Sequence, residues 1–300
     1  MDNKASGARQ KAARTAEYII QGIFLILGLI TVGCVLVITV YLIIAGIPAI
    51  REIGLADFLL GRKWVSTGEN QQFGIFHFIL TSVYGTAGAI VIGVPIGFLS
   101  SVYLAKLASP KIKTVISEAV SLLAGIPSVV YGLVGMMVLV PGIRKLFNIP
   151  DGSGLLAAII VLAIMILPSI IKVSLTALEA VPKEYEDASL ALGATHIETY
   201  FRVSVPAAKS GIAAAVVLGV GRAIGEAMAV IMVSGNASSN MPSLFESVRF
   251  LTTAVASEMS YSAEGSLQRQ ALFSIALVLF LFIMLINAAL NFFLKRDKNK

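Results

Sequence analysis

Six long apolar runs separated by short polar segments set the pattern of this chain; they fall at about 18–45, 76–105, 114–140, 155–177, 207–234 and 272–294. A helix needs roughly 20 apolar residues to cross the hydrocarbon core of a bilayer, and each run reaches that length. None alternates with period two, and lipid offers an unpaired backbone group no partner, so each run is read as a helix. Several exceed the minimum, which implies tilt or an interfacial turn. The larger polar stretches lie at about 46–75 and 235–271. In the second, Leu244, Val248, Leu251 and Val255 recur at helical spacing, so it is expected to fold onto the outer surface of the bundle. The expected fold is an all-α integral membrane protein with six transmembrane helices.

Composition supports this class. Hydrophobic residues make up 57% of the 300 residues and charged residues only 13%, against about 25% charged in globular chains; the mean hydropathy is +0.88. The 26 glycines suit close helix packing in lipid. The single cysteine, Cys34, lies inside the first run and reads as a small packing residue, with no partner for an intramolecular disulfide. A net charge of +6 can indicate a nucleic-acid partner, but here the basic residues cluster just outside the apolar runs, as membrane topology demands, so no nucleic acid is expected.

The same charges orient the chain. Six spans put both ends on one side. The first tail, the second-to-third and fourth-to-fifth connections and the last tail hold fourteen Lys and Arg, among them Lys4, Arg9, Lys106, Lys183, Arg202 and Lys295; the opposite side holds seven, including Arg51, Arg62, Arg144, Arg249 and Arg269. The positive-inside rule therefore places both termini in the cytoplasm. The first run is too long for the apolar region of a signal peptide and is read as an uncleaved span.

The connection between the fourth and fifth runs carries the most chemistry. Pro182 breaks the preceding helix and suits the start of a new one. From Lys183 to Leu192 the pattern is a short amphipathic helix with Tyr185, Ala188 and Leu192 on one side. Gly193 supplies a left-handed corner, and Thr195 to Glu198 is a capping-box pattern that opens a second short helix. Pro206 stands near the start of the fifth span. Asp187-Ala188-Ser189, Gly193 and the run Val203 to Pro206 together resemble the E-A-A, G, I-x-L-P loop by which permeases of ATP-binding-cassette (ABC) importers grip their ATPase. The resemblance implies that Asp187, Ala188, Gly193, Ala194, Thr195 and Pro206 couple to that partner. The chain has no G-x-x-x-x-G-K-[ST] phosphate loop, so the energy source is expected to be another polypeptide. No nucleophile–base arrangement emerges either, so it is not read as an enzyme, no cofactor is expected in this chain, and ATP and Mg would be bound by the ATPase.

Arg222 and Glu226 lie close to the middle of the fifth run. Burying a charge at the centre of a spanning helix costs about 2.5–3.5 kcal/mol, so such residues face the bundle interior or a water-filled path. At a separation of four they would share a helix face and pair, with Arg before Glu, the weaker direction for helix stabilisation. Two readings stand: an ion pair that holds the bundle, or a substrate path in which Arg222 attracts an oxyanion through paired N–H donors and Glu226 tempers the site. Gly221 and Gly225 mark an adjoining face for a neighbouring helix. Gly125, Pro127, Gly132 and Gly135 permit kinks or close packing. His77 and His196 fall on opposite sides of the membrane, so no metal site is expected.

The segment from Arg222 to Asn236 resembles the fifth-span signature of PstC-type permeases of bacterial phosphate importers. So do Phe73-Gly74-Ile75, the run Val94 to Gly97, the run Ala124 to Gly132 and the segment Glu179 to Ala194. The resemblance covers about 70–294 and implies a type I ABC importer permease fold in a bacterial inner membrane. The implied partners are a PstA-type permease in a heterodimer, a PstB-type ATPase dimer, a PstS-type phosphate-binding protein, the lipid bilayer and inorganic phosphate. On this reading the chain divides into a tail over 1–17, a first span with its external segment over 18–70, the transport domain over 71–294 with its coupling loop at about 180–206, and a tail over 295–300. A PstA-type sister subunit, a permease for sulfate or molybdate, and an ion-coupled transporter or channel are the alternatives.

Overall fold

The computed structural model describes residues 17–289 except 69, 239 and 240, together with Phe292; the first and last helices continue beyond them, over Asp2–Ile53 and Leu267–Lys298. The tails expected at 1–17 and 295–300 lie outside the described residues save for Glu17. The chain is helical nearly throughout. It opens with α1 (Asp2–Ile53) and α2 (Leu55–Leu60), followed by a two-stranded ribbon of β1 (Trp64–Val65) and β2 (Gln72–Phe73). Then come α3 (Phe76–Lys106), α4 (Pro110–Gly125), α5 (Ser128–Val134), a π-helical turn at Gly135–Leu139, and α6 (Val140–Phe147). The long α7 (Leu155–Glu179) leads to α8 (Lys183–Ala191) and α9 (His196–Thr199), a second π-helical turn at Tyr200–Ser204, and α10 (Val205–Ala207). Last are α11 (Lys209–Gly225), α12 (Met228–Val233), α13 (Leu251–Glu258) and α14 (Leu267–Lys298). Among the described residues, five helices are long and apolar enough to cross a membrane, or six if the bent pair His196–Ala207 and Lys209–Gly225 counts as one.

The bundle is built around α7, whose most apolar stretch is 61% buried, against 33% for α3 and none for α1. Helices in lipid gain little from hiding apolar surface, so their association draws on close packing. Glycines make that packing possible. A Cβ at Gly88, Gly93 or Gly97 of α3 would stand 2.7–2.8 Å from Ile159, Ile166 or Ile170 of α7. On α11, Gly211 meets Ala177 and Gly219 meets Ile170 in the same way, the first leaving only 2.3 Å for a Cβ. Among the described residues the first helix meets α14 at Tyr41, edge-on to Phe273, and at Gly46, whose carbonyl accepts from Ser274 Oγ at 2.5 Å.

Two expected spans differ from the sequence reading. The third, expected at 114–140, is divided: Ser109 and Pro110 start α4, and the chain breaks at Ile126–Pro127 before the membrane-length helix 128–147 begins. Proline excludes the α conformation from the residue before it, and Ile126 is extended, with ψ 128°. The Tyr131 hydroxyl bridges the gap by donating to the Leu123 carbonyl at 2.8 Å. The fifth, expected at 207–234, bends by 72° near Ala208 and is interrupted again at Glu226–Ala227.

At the end opposite α8 and α9 a small cap closes the bundle. Gly61 and Gly74 bring their backbones together so closely that a Cβ on Gly74 would lie 2.3 Å from the Gly61 carbonyl carbon. Trp64 packs edge-on against Phe73 and beside Phe78. The Glu258 carboxylate accepts from Trp64 Nε1 at 3.0 Å, from Arg249 at 2.5 Å and from Gln268 at 3.2 Å. The helical spacing seen over 244–255 is realised only from Leu251 onward. Val248 instead lies in an extended bridge beside Gly235, and Leu244 offers its carbonyl to the Leu156 amide at 2.9 Å.

Candidate functional site

The connection between α7 and α11 turns on one left-handed residue. Pro182 stands at the N-cap of α8. The helix ends where Gly193 takes φ 88°, and the amides of Gly193 and Ala194 turn back onto the carbonyls of Leu190 at 2.9 Å and Ser189 at 3.3 Å. These bonds occupy carbonyls that a helix end leaves free. Thr195 then opens α9 as the expected capping box: its amide donates to Glu198 Oε2 at 3.0 Å and its Oγ1 accepts from the Glu198 amide at 3.3 Å. The bonds from the Thr195 amide and hydroxyl hold the Glu198 carboxyl below its ordinary pKa. The hydroxyls of Ser189 and buried Thr199 meet at 2.9 Å and pin the two short helices together.

Glu186 fastens the loop to the bundle. It pairs with Lys106 at the end of α3 and accepts from Ser204 Oγ at 2.8 Å. Burial, the strongest influence on this carboxyl, pushes its pKa up, but the Lys106 and Ser204 donors together outweigh it and hold the value below that of an ordinary glutamate. The other side of the loop faces outward. Leu192 is 90% exposed, Ile197 64% and Tyr185 55%, with Asp187, Ala188, Thr195 and Pro206 also exposed and Ala194 half-buried.

The second candidate region is the break in the fifth span. α11 stops at Gly225, Glu226 is extended with ψ 126°, and α12 resumes at Met228. Arg222 and Glu226 therefore do not share a continuous helix face, and no ion pair joins them among the described residues. The expected pairing is corrected by that interruption. Glu226 instead accepts from the Ala229 amide at 3.0 Å, capping the start of α12, while its carbonyl accepts from Thr252 Oγ1 at 2.8 Å. Arg222 is half-buried with no carboxylate partner among the described residues. A Cβ on Gly221 or Gly225 would meet nothing within 4 Å among the described residues. Within this chain the close approaches of α11 are at Gly211 and Gly219. Gly132 and Gly135 do pack closely, a Cβ on either lying 2.8 Å from Met232 or Val233 of α12; Gly125 meets nothing. An unpaired guanidinium at a break in a spanning helix is stable only beside water, a polar partner or an anion.

Residues 93–297 match the family described as binding-protein-dependent transport system inner membrane component. The chain belongs to that family. Among relatives, a probable ABC transporter permease protein YqgH of Bacillus subtilis is 38% identical, over 87% of this chain and 86% of its own. Phosphate transport system permease proteins PstC of Mesorhizobium japonicum and Haemophilus influenzae are each 35% identical, over 80% and 81% of this chain and 78% and 82% of theirs. In fold the chain is similar to the inward-facing MetNI methionine ABC transporter (TM-score 0.55, 21% identity, 75% of this chain and 94% of that one). It is likewise similar to an amino acid ABC transporter with histidines (TM-score 0.52, 23% identity, 74% and 92%). The type I ABC importer permease fold implied by the resemblance is thus the one observed. As a transport-system inner membrane component, the chain is a multi-pass permease that works with a separate ATPase and a substrate-binding protein.

Several residues with structural work at these sites carry no local sequence signal. Glu186 finds Lys106 and Ser204 at separations of 80 and 18 residues, and Thr252 reaches Glu226 across 26.

Proposed function

We propose that this permease is the PstC-type subunit of an ATP-driven inorganic phosphate importer. It would form the translocation path with a PstA-type permease, dock a PstB-type ATPase dimer through the exposed face of α8 and α9, and receive phosphate from a PstS-type binding protein at the capped end. Both termini would then lie in the cytoplasm, with Mg-ATP held wholly by the ATPase. The observation that carries the reading is Arg222: a guanidinium in the last turn of α11, beside the break in the fifth span and free of any described carboxylate, in a chain whose relatives include phosphate permeases. A guanidinium offers paired N–H donors to two oxygens of a phosphate. Glu226, spent on capping α12, holds the break open beside it without neutralising it.

On this account Asp187, Ala188, Ala194, Thr195 and Pro206 belong to the ATPase-facing surface, with Gly193 as its corner. The test is uptake by vesicles holding the complete complex. Arg222→Gln is expected to assemble and to raise the phosphate concentration needed for half-maximal uptake or to abolish uptake. Assembled Arg222→Gln and Glu226→Gln complexes that both transport at the wild-type rate would show that these side chains serve structure alone.

A further inference from the structure

Three segments meet on the buried side of the loop, away from its exposed apolar face. Lys106 ends α3, Glu186 lies in the middle of α8, and Ser204 closes the π-helical turn that leads into α10 and α11. The Glu186 carboxylate receives both the Lys106 ammonium and the Ser204 hydroxyl, and the Lys106 and Glu186 side chains are only 11% and 18% exposed. Ala105 beside Lys106 and Val205 beside Ser204 pack in one apolar cluster with Val102, Leu178, Val181 and Ala208. α8 itself has no buried residue. Its hold on α3 is therefore a charge-assisted bond rather than apolar packing. Such a bond is short and directional, and with little water around it salt screens it weakly.

We infer that Glu186 is a positioning residue that passes movement of the docked loop into the bundle, to α3 through Lys106 and to the base of α11 through Ser204. The inference rests on the reading that an ATPase grips α8 and α9. When that partner shifts the exposed face, the joint makes the inner ends of α3 and α11 follow. α3 is seated against α7 by its glycines, and α11 carries Arg222, so a shift at the joint reaches the face that bears the guanidinium. Without the joint, α8 can move while the bundle stays behind.

The test uses the complete complex in vesicles, with ATP hydrolysed and phosphate delivered measured on the same preparation. Glu186→Gln and Lys106→Met are each expected to assemble and hydrolyse ATP while delivering about tenfold less phosphate per ATP, within the usual range for coupling between sites. The exchanged pair, Glu186→Lys with Lys106→Glu, is expected to recover delivery to within about threefold of wild type, because it restores the interaction that each single change removes. Hydrogen exchange needs no cargo: amides in α8 and in the last turn of α3 are expected to exchange faster in the single variants and at the wild-type rate in the exchanged pair. Single variants that deliver as much phosphate per ATP as wild type, or an exchanged pair as defective as either single change, overturn the inference. Should a single variant fail to assemble, the exchanged pair decides. A wild-type complex that hydrolyses ATP and moves no phosphate overturns the cargo reading instead, and hydrogen exchange then decides the joint alone.

Discussion

Gly193 combines φ 88° with open space where a Cβ would stand, so its replacement is opposed by backbone conformation rather than by a clash. A residue with a Cβ in this region costs about 1–2 kcal/mol, which the loop can relieve by opening its corner and misplacing Leu192 and Ile197. Gly193→Ala is therefore expected to weaken retention of the ATPase on co-purification, and Gly193→Arg to abolish ATP-driven transport. Wild-type transport in the arginine variant would remove the docking role assigned to this corner. The Glu186 carboxyl makes a pH prediction of definite sign. Its folded pKa lies below the ordinary value, so its stabilising contribution is complete above the ordinary glutamate pKa of about 4.3 and is lost as pH falls through the lower folded value. Protection of α8 amides should thus hold through neutral pH and decline only in acid, and Glu186→Gln should remove that acid dependence. Gly193 and the capping box at Thr195 were legible because left-handed corners and caps are local devices, decided by a few adjacent side chains. Glu186 and Thr252 were not, since their partners are fixed only by tertiary packing.

Elements were legible where hydropathy and backbone chemistry agree, and misplaced where they part. α7 is apolar on all sides and unbroken near the length read for it. The third and fifth spans are apolar on both sides of an interruption, so an averaged pattern runs straight through Ile126–Pro127 and Glu226–Ala227. Proline explains the first break. The second has no proline and is held by one tertiary bond, Thr252 Oγ1 to the Glu226 carbonyl, and by a local cap, the Ala229 amide to the Glu226 carboxylate. Thr252 is buried, so removing its hydroxyl leaves a carbonyl short of a donor, at a cost of about 1–3 kcal/mol. Thr252→Val, which keeps the shape and loses the hydroxyl, is expected to lower phosphate uptake with little loss of assembled complex, and Thr252→Ser to restore it. Equal uptake by the valine and serine variants would show that the bond does not position the break. At the capped end, Gly74→Ala is expected to lower the thermal stability of the purified protein, because the incoming methyl meets Gly61 backbone that no rotamer change can move aside.

For the molecule as a whole, the two ends of the fifth span are anchored to different partners. Its inner end continues from the α8–α9 loop through the bend at Ala208. Its outer break is tied through Thr252 to α13, whose last residue, Glu258, gathers Trp64 of the ribbon, Arg249 and Gln268. The surface proposed for the ATPase and the surface proposed for the binding protein thus both bear on the helix that carries Arg222. None of this long-range wiring was visible as spacing, although the loop alone sufficed to indicate an importer permease. The most direct test of the account is uptake of labelled phosphate by vesicles containing this chain with its partner permease, ATPase and binding protein, with sulfate and molybdate as competitors. The account predicts uptake that requires ATP, the ATPase and the loaded binding protein, and that an excess of sulfate or molybdate leaves unchanged. Phosphate uptake by this chain without the ATPase, or uptake suppressed by sulfate or molybdate as strongly as by unlabelled phosphate, would contradict it.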